Sequence, residues 1–121
     1  MNGLLGSILL GSADPERLRA WYRDMFAPAE NADGFFDLGG VGLLVDKRDD
    51  VSATNPEPGR VILNIHVDDA YATAARLDEA GATWLVPVEP RPDGLFGTLV
   101  DPDGNYVQII ELSDDYRARQ P

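Results

Sequence analysis

Four polar side chains with the chemistry of a ligand site lie in two apolar segments of the second half of the chain. They are Asn64, His66, Tyr106 and Gln108, and one apolar residue separates the members of each pair. Alternate residues of a strand face opposite sides of a sheet, so each pair is expected on one face. Amide and phenol groups hold a ligand by hydrogen bonds, and an imidazole can also move a proton near neutral pH. The spacing therefore predicts a small-molecule site on the sheet face that is turned away from the helices.

The predicted site also has an apolar lining. The chain repeats with an offset of 55 residues, which relates Ser7 to Ile62 and Leu9 to Asn64. Trp84 and Phe96 are candidate aromatic walls, although large aromatic side chains more often pack in a core. The predicted ligand-binding residues are therefore Ser7, Leu9, Ile62, Asn64, His66, Trp84, Phe96, Tyr106 and Gln108. A mostly apolar surface with a few polar anchors is typical of a ligand cavity.

His66 is the only histidine in the chain, so it is the one candidate for a catalytic base. A base also needs an orienting partner and a substrate within reach. No Ser-His-Asp arrangement is evident around His66. The alternatives are therefore a general base, a hydrogen-bond anchor for a ligand, or a partly buried histidine at the end of a strand with no catalytic role.

Composition excludes several classes of function. The chain has 121 residues and no cysteine, which rules out disulfides, thiol nucleophiles and thiolate metal sites and fits a cytoplasmic protein. The net charge of −11 repels nucleic acid and anionic membranes, so neither is an expected partner. The apolar run near the N-terminus, residues 4–10, is too short to cross a bilayer and is interpreted as a buried first strand.

The candidate residues are expected to lie on two copies of one order of secondary-structure elements. Asp14 and Asp69 are predicted helix caps 55 residues apart, and Pro15 suits the first position of its helix. A strand precedes each helix, including Val61–Val67 in the second copy, and three strands are predicted to follow. We expect one domain over residues 1–121, with a first module over about 1–50, a linker over about 49–59, a second module over about 60–113 and a polar tail over 114–121.

A sharp turn precedes the last predicted strand. Its sequence is Asp101-Pro102-Asp103-Gly104-Asn105. Proline fixes φ, and glycine or asparagine accepts positive φ, so the segment is expected to reverse the chain between two strands. Asp101 and Asp103 are interpreted as structural, because Asp side chains accept hydrogen bonds from their own backbone in turns.

With these features the chain resembles the vicinal oxygen chelate superfamily, which includes glyoxalase I, extradiol dioxygenases and bleomycin-resistance proteins. The resemblance covers nearly the whole chain, and its most specific part is the turn at 101–105. Supporting segments are Ala20-Trp21-Tyr22, Val67-Asp68-Asp69 and Ala80-Gly81-Ala82. The resemblance implies an α+β fold of two βαβββ modules whose curved mixed sheets surround a cavity. It also implies a homodimer, because single-domain members usually dimerise.

The resemblance further locates the positions that hold the metal in the enzymes of this superfamily. In this chain they are Ser7, Leu43 or Leu44, Ile62 and Gln108, and none is His, Asp or Glu. Divalent cations prefer anionic oxygens or imidazoles, so this set favours no metal and no cofactor.

These features together favour a metal-free binding protein that sequesters an antibiotic or an aromatic metabolite. One alternative is a metal-dependent lyase, isomerase or dioxygenase of the same superfamily. Another is a metal-free enzyme that uses His66, and a last one is a non-catalytic domain whose cavity is closed by apolar side chains.

Overall fold

The computed structural model describes residues 2–119, which divide into two compact units with the boundary between Asn55 and Pro56. The first unit contains β1 (Ser7–Ser12), α1 (Pro15–Phe26), β2 (Ala29–Glu30), β3 (Phe36–Leu38) and β4 (Val41–Lys47). The second unit contains β5 (Leu63–His66), α2 (Ala70–Glu79), β6 (Thr83–Arg91), β7 (Gly94–Val100), β8 (Tyr106–Leu112) and α3 (Asp114–Arg119).

The two units share one topology. The first sheet has the strand order β1-β4-β3-β2, and the second has the equivalent order β5-β8-β7-β6. In each sheet the first and last strands pair in parallel, while the other pairs are antiparallel. The α+β class and the two βαβββ modules with mixed sheets are therefore confirmed.

The two predicted helix caps position both long helices. The carboxylate of Asp14 accepts a hydrogen bond from the Arg17 amide, and Pro15 occupies the first turn of α1. The carboxylate of Asp69 accepts a hydrogen bond from the Ala72 amide at the start of α2. Such caps satisfy amides that lack a partner within the helix. Across residues 2–119, the helices are too short or too polar for any of them to cross a membrane.

Each helix packs its apolar side chains against its own sheet. In α1 these are Leu18, Tyr22 and Met25, and in α2 they are Ala70 and Leu77. The strands supply Leu43 and Val45 in the first unit, and Leu99, Val107 and Ile109 in the second. We call the opposite side of each sheet, turned away from its helix, the far face.

Two predicted strand boundaries are wrong. The first strand begins only at Ser7, and the preceding Leu4 and Leu5 are 87% and 68% exposed rather than buried. The strand predicted over Val61–Val67 is confined to β5, and Val61 is 70% exposed instead of facing the helix. The physical reason is the partner strand: Leu63 pairs with Val107, the second residue of β8, so Ile62 lies opposite the strand's first residue and Val61 lies beyond its end.

Candidate functional site

The far face of the second sheet carries the four predicted polar side chains, and three of them, Asn64, His66 and Gln108, lie next to one another on β5 and β8. Asn64 on β5 pairs with Gln108 on β8, and His66 pairs with Ile110 on the same two strands. Paired residues lie on the same side of a sheet, so the side chains of these two pairs form one continuous surface. On the other side of β8, Gln108 pairs with Thr98 of β7, and Ile110 pairs with Phe96.

A cavity of about 390 Å³ lies on this face, wholly within the second unit. Its lining residues are Asn64, His66, Asp93, Phe96, Gln108, Ile110, Leu112 and Tyr116. The structure thus brings together Asn64, His66, Phe96 and Gln108 from the predicted set. The cavity combines two amides, one imidazole and one carboxylate with two aromatic rings and two aliphatic side chains, a composition typical of small-molecule sites.

The β6–β7 hairpin positions Asp93 at the cavity. Arg91 pairs with Gly94 across the turn, which leaves Pro92 and Asp93 at its tip. Gly94 has φ of +150°, and a Cβ there would lie 2.1 Å from the carbonyl oxygen of Glu111. Only glycine fits that close approach of backbone to backbone. The Asp93 carbonyl also accepts a hydrogen bond of 2.8 Å from the Ser113 amide, which fixes the hairpin tip beside the start of α3.

The short helix α3 supplies Tyr116, a lining residue that sequence reasoning missed. The predicted tail over 114–121 is helical over Asp114–Arg119, and Gln120 and Pro121 lie outside the described residues. The Ser113 hydroxyl accepts a hydrogen bond from the Tyr116 amide, so this serine caps the helix. The sequence signal was Ser113 followed by two acidic residues, a typical start of a helix.

Two ring–guanidinium contacts lie at the cavity. The guanidinium of Arg91 lies 5.3 Å from the centre of the Phe96 ring, and that of Arg119 lies 5.4 Å from the centre of the Tyr116 ring. Each arginine also contacts a carboxylate: Arg91 pairs with Glu89 at 3.2 Å, and Arg119 pairs with Asp93 at 3.4 Å. Both aromatic walls of the cavity therefore already bind a cation from the same chain.

Several predicted ligand-binding residues lie elsewhere in the second unit. Trp84 pairs with the buried Leu99, and its indole N–H donates a hydrogen bond of 2.6 Å to Asp78 of α2, so it lies on the helix side of the sheet. Ile62 precedes β5 and is 37% exposed. Tyr106 shares the far face with Gln108 but lies outside the cavity lining. Trp84 is half-buried beside α2 and is not one of the fully buried core residues.

Ser7 and Leu9 belong to the first unit. They lie on the far face of the first sheet, where Ser7 pairs with Gly42 and Leu9 pairs with Leu44. Leu43 is 1% exposed and packs on the helix side, so Leu44 is the residue of β4 that shares a face with Leu9. This pairing resolves the alternative between Leu43 and Leu44 that the sequence left open.

The positions that hold a metal in superfamily enzymes do not fit one here. Ser7, Leu44, Ile62 and Gln108 offer a hydroxyl and an amide but no anionic or imidazole ligand. The carboxylate on the last strand, Glu111, accepts a hydrogen bond of 2.9 Å from the Ala70 amide at the start of α2. Among residues 2–119, no three His, Asp or Glu side chains cluster in a way that could hold a metal ion.

Comparison with known proteins agrees with the fold and the resemblance. Residues 7–110 match the family described as Glyoxalase-like domain. This chain belongs to that family. The match covers most of the chain, and it assigns the protein to the vicinal oxygen chelate superfamily. A search of curated proteins found no match.

Solved structures with the same fold include enzymes and an antibiotic binding protein. A glyoxalase-related enzyme from Fulvimarina pelagi is 24% identical, with a TM-score of 0.73 and coverage of 92% of this chain and 88% of the other. TnmS3, an antibiotic binding protein from Streptomyces sp. CB03234, is 21% identical, with a TM-score of 0.67 and coverage of 92% and 97%. A glyoxalase/bleomycin resistance protein/dioxygenase family enzyme from Burkholderia phytofirmans PsJN is 17% identical, with a TM-score of 0.75 and coverage of 92% and 100%. These similarities concern the fold.

Proposed function

We propose that this chain is a binding protein that holds a small aromatic or amphipathic molecule on the far face of the second sheet, without a metal ion. The observation that carries the proposal is the cavity of about 390 Å³, in which neutral amides and aromatic walls meet. A volume of this size suits a drug-sized ligand. An antibiotic or an aromatic metabolite has the required chemistry, and this chain has the same fold as the antibiotic binding protein TnmS3.

The side chains in the cavity favour retention of a ligand over turnover. Asn64 and Gln108 can each donate and accept hydrogen bonds, and neither can act as a nucleophile or a base at neutral pH. Phe96 and Tyr116 offer ring faces for stacking. Ile110 and Leu112 add apolar surface, and His66 and Asp93 complete the lining. In this proposal His66 anchors the ligand by a hydrogen bond and does not act as a base.

We further propose that the chain forms a homodimer and is located in the cytoplasm, as the sequence analysis predicts. Light scattering coupled to size exclusion is expected to give twice the mass of one chain. A mass of one chain at micromolar concentration would remove the dimer from the proposal and leave the binding site of the second unit in place.

Calorimetry tests the binding function directly. Untagged protein treated with a chelator is titrated with a panel of basic antibiotics and polyketide-like aromatics, and at least one compound is expected to bind with no chemical change. Gln108→Leu is expected to weaken that binding about tenfold, because it removes a hydrogen bond worth about 1.4 kcal/mol. Thr83→Val, an exposed position of the same sheet outside the cavity, is the matched control. A panel without any binder would contradict the proposal.

Elemental analysis of the untagged protein distinguishes this proposal from the metal-dependent alternative. We expect less than stoichiometric zinc, iron, nickel and manganese. One equivalent of any of them would favour the lyase, isomerase or dioxygenase alternative.

His66 supports one second candidate, a metal-free enzyme, because its imidazole lines the cavity. In that case His66→Ala would abolish turnover of a bound compound while leaving the fold intact. Our proposal predicts instead that no compound of the panel is converted by either protein.

A further inference from the structure

A guanidinium of the protein itself contacts two lining residues at one corner of the cavity, although Arg119 does not line the cavity itself. Arg119 contacts the Asp93 carboxylate at 3.4 Å, and its guanidinium lies 5.4 Å from the centre of the Tyr116 ring. Asp93 and Tyr116 both line the cavity. A carboxylate beside the face of an aromatic ring is a favourable place for an organic cation, because both groups attract positive charge.

This contact can be exchanged at low cost. The side chains of Arg119 and Asp93 are 66% and 49% exposed, and their single contact is long for an ion pair. Exposed ion pairs and exposed cation–π contacts each contribute little to stability. A ligand cation that enters the corner therefore replaces Arg119 without breaking any buried interaction.

We propose that Asp93 and Tyr116 form a subsite for a protonated amine or amidine group, and that Arg119 is its intramolecular competitor. This inference rests on the proposed function and narrows its ligand to an aromatic molecule that carries a basic group. The aromatic part stacks on Phe96 and contacts the Asn64 and Gln108 amides. The basic group displaces Arg119 from the carboxylate and from the Tyr116 ring, and the chain's net charge of −11 attracts such a cation.

Arg91 distinguishes the subsite from a general surface effect. Its guanidinium contacts the Phe96 ring much as Arg119 contacts Tyr116, but its partner Glu89 lies outside the cavity lining. Removal of Arg91 therefore vacates no carboxylate inside the cavity. Arg117 lies on α3 and outside the cavity lining, so Arg117→Gln changes the net charge of the chain as Arg119→Gln does without changing the subsite.

The test uses two tricyclic dyes of similar size, the cationic proflavine and the neutral acridone, titrated by fluorescence at low salt. Arg119→Gln is expected to bind proflavine roughly three- to tenfold more tightly than the native chain, because it removes the competing ion pair and ring contact. Arg117→Gln is expected to stay within about twofold, whereas Arg91→Gln, which frees the Phe96 ring but no carboxylate, is expected to change proflavine and acridone binding equally. Asp93→Asn is expected to weaken proflavine binding by a similar three- to tenfold, whereas Asp68→Asn, an exposed carboxylate outside the lining, is its control.

Acridone separates the cation subsite from the rest of the cavity. Its affinity is expected to change by less than about twofold in Arg119→Gln and Asp93→Asn, since it has no positive charge. Proflavine binding that is unchanged or weaker in Arg119→Gln would overturn the subsite while leaving the binding function intact. Failure of both dyes to bind the native chain and Arg119→Gln would count against the proposed function as well as the subsite.

Discussion

The two units of this chain have the same strand order, yet their far faces carry different chemistry. On the first sheet the paired residues Leu9 and Leu44 are apolar, and Leu9 is 48% exposed. On the second sheet the paired residues are Asn64 and Gln108. The comparison teaches that alternate positions of a strand can change independently, because only one side of each sheet packs on its helix.

The two sheets also differ in the strand that lies farthest from the parallel pair. In the first unit that strand, β2, has two residues, and a cleft of about 320 Å³ lies beside it, lined by residues that include Asn31 and Phe35. In the second unit the corresponding strand, β6, has nine residues and forms a long hairpin with β7. That hairpin carries Asp93 to the cavity.

The helix sides of the two units give the largest expected effects. Tyr22 and Leu77 are equivalent in the repeat and are both fully buried. Tyr22→Ala is expected to lower the free energy of unfolding by about 3–5 kcal/mol and Leu77→Ala by about 2–5 kcal/mol, because each leaves a cavity in its core. Chemical denaturation measures both. The exposed Leu85 is the control, and a Leu85→Ala effect as large as either would contradict the assignment of core and surface.

Substitutions in the turns before the last strand of each unit are expected to lower stability less than the core substitutions do. Asp101 is buried and accepts hydrogen bonds from the Asp103 amide, the Asn105 amide and the Asn105 side chain, each at 2.9 Å. The exposed Asp37 accepts one bond from the Gly40 amide. Asp101→Ala is therefore expected to cost about 2–3 kcal/mol of unfolding free energy and Asp37→Ala less than about 1 kcal/mol. Equal losses of unfolding free energy in the two variants would contradict the view that burial strengthens the contribution of the Asp101 hydrogen bonds.

Exchange of equivalent residues between the far faces tests the comparison at the level of binding. Asn64→Leu gives the second unit the residue of the first and is expected to weaken ligand affinity roughly three- to tenfold through loss of a hydrogen bond. Leu9→Asn makes the reverse exchange and is expected to change affinity by less than about twofold. Calorimetry with the tightest-binding compound of the panel measures both. A larger change in affinity for Leu9→Asn than for Asn64→Leu would indicate that the ligand binds to the first unit.

An exposed ion pair in the first unit gives the smallest expected effect. Hydrogen bonding from Arg48 holds the pKa of Asp50 below its ordinary value of 3.8, and the same pair raises the pKa of Arg48. Because the pKa of Asp50 is lowered on folding, its stabilising contribution is present above 3.8 and is lost as pH falls through the folded value. Arg48→Gln is expected to raise the Asp50 pKa in carboxyl NMR titration, with no measurable change in stability at pH 7. A measurable loss at pH 7 would contradict the view of this pair as solvent-exposed.

Local sequence signals predicted the elements that depend on local chemistry. The caps at Asp14 and Asp69 and the turn at Asp101 follow from side chains that bond to nearby amides. The period of two in β5 and β8 placed Asn64, His66 and Gln108 on one face, because alternate residues of a strand lie on the same side of the sheet. These interactions span few residues along the chain, so their pattern is visible without the fold.

The remaining parts of the site depend on distant partners. The start of β5 at Leu63 depends on where β8 begins, and the side of the sheet that Trp84 takes depends on its pairing with Leu99 of β7. Tyr116 reaches the cavity because Ser113 bonds to the hairpin tip at Asp93, twenty positions earlier in the chain. No local pattern encodes such contacts, which is why Asp93 and Tyr116 were missed as lining residues.

His66 offers the most direct test of the central claim, because it is the only histidine and it lines the proposed cavity. Its imidazole NMR signals are followed while chelator-treated protein is titrated with the tightest-binding compound of the panel. The account predicts a saturable shift with the dissociation constant found by calorimetry and with no product formed. A signal that does not move at saturating ligand, or that moves only after a divalent cation is added, would contradict it.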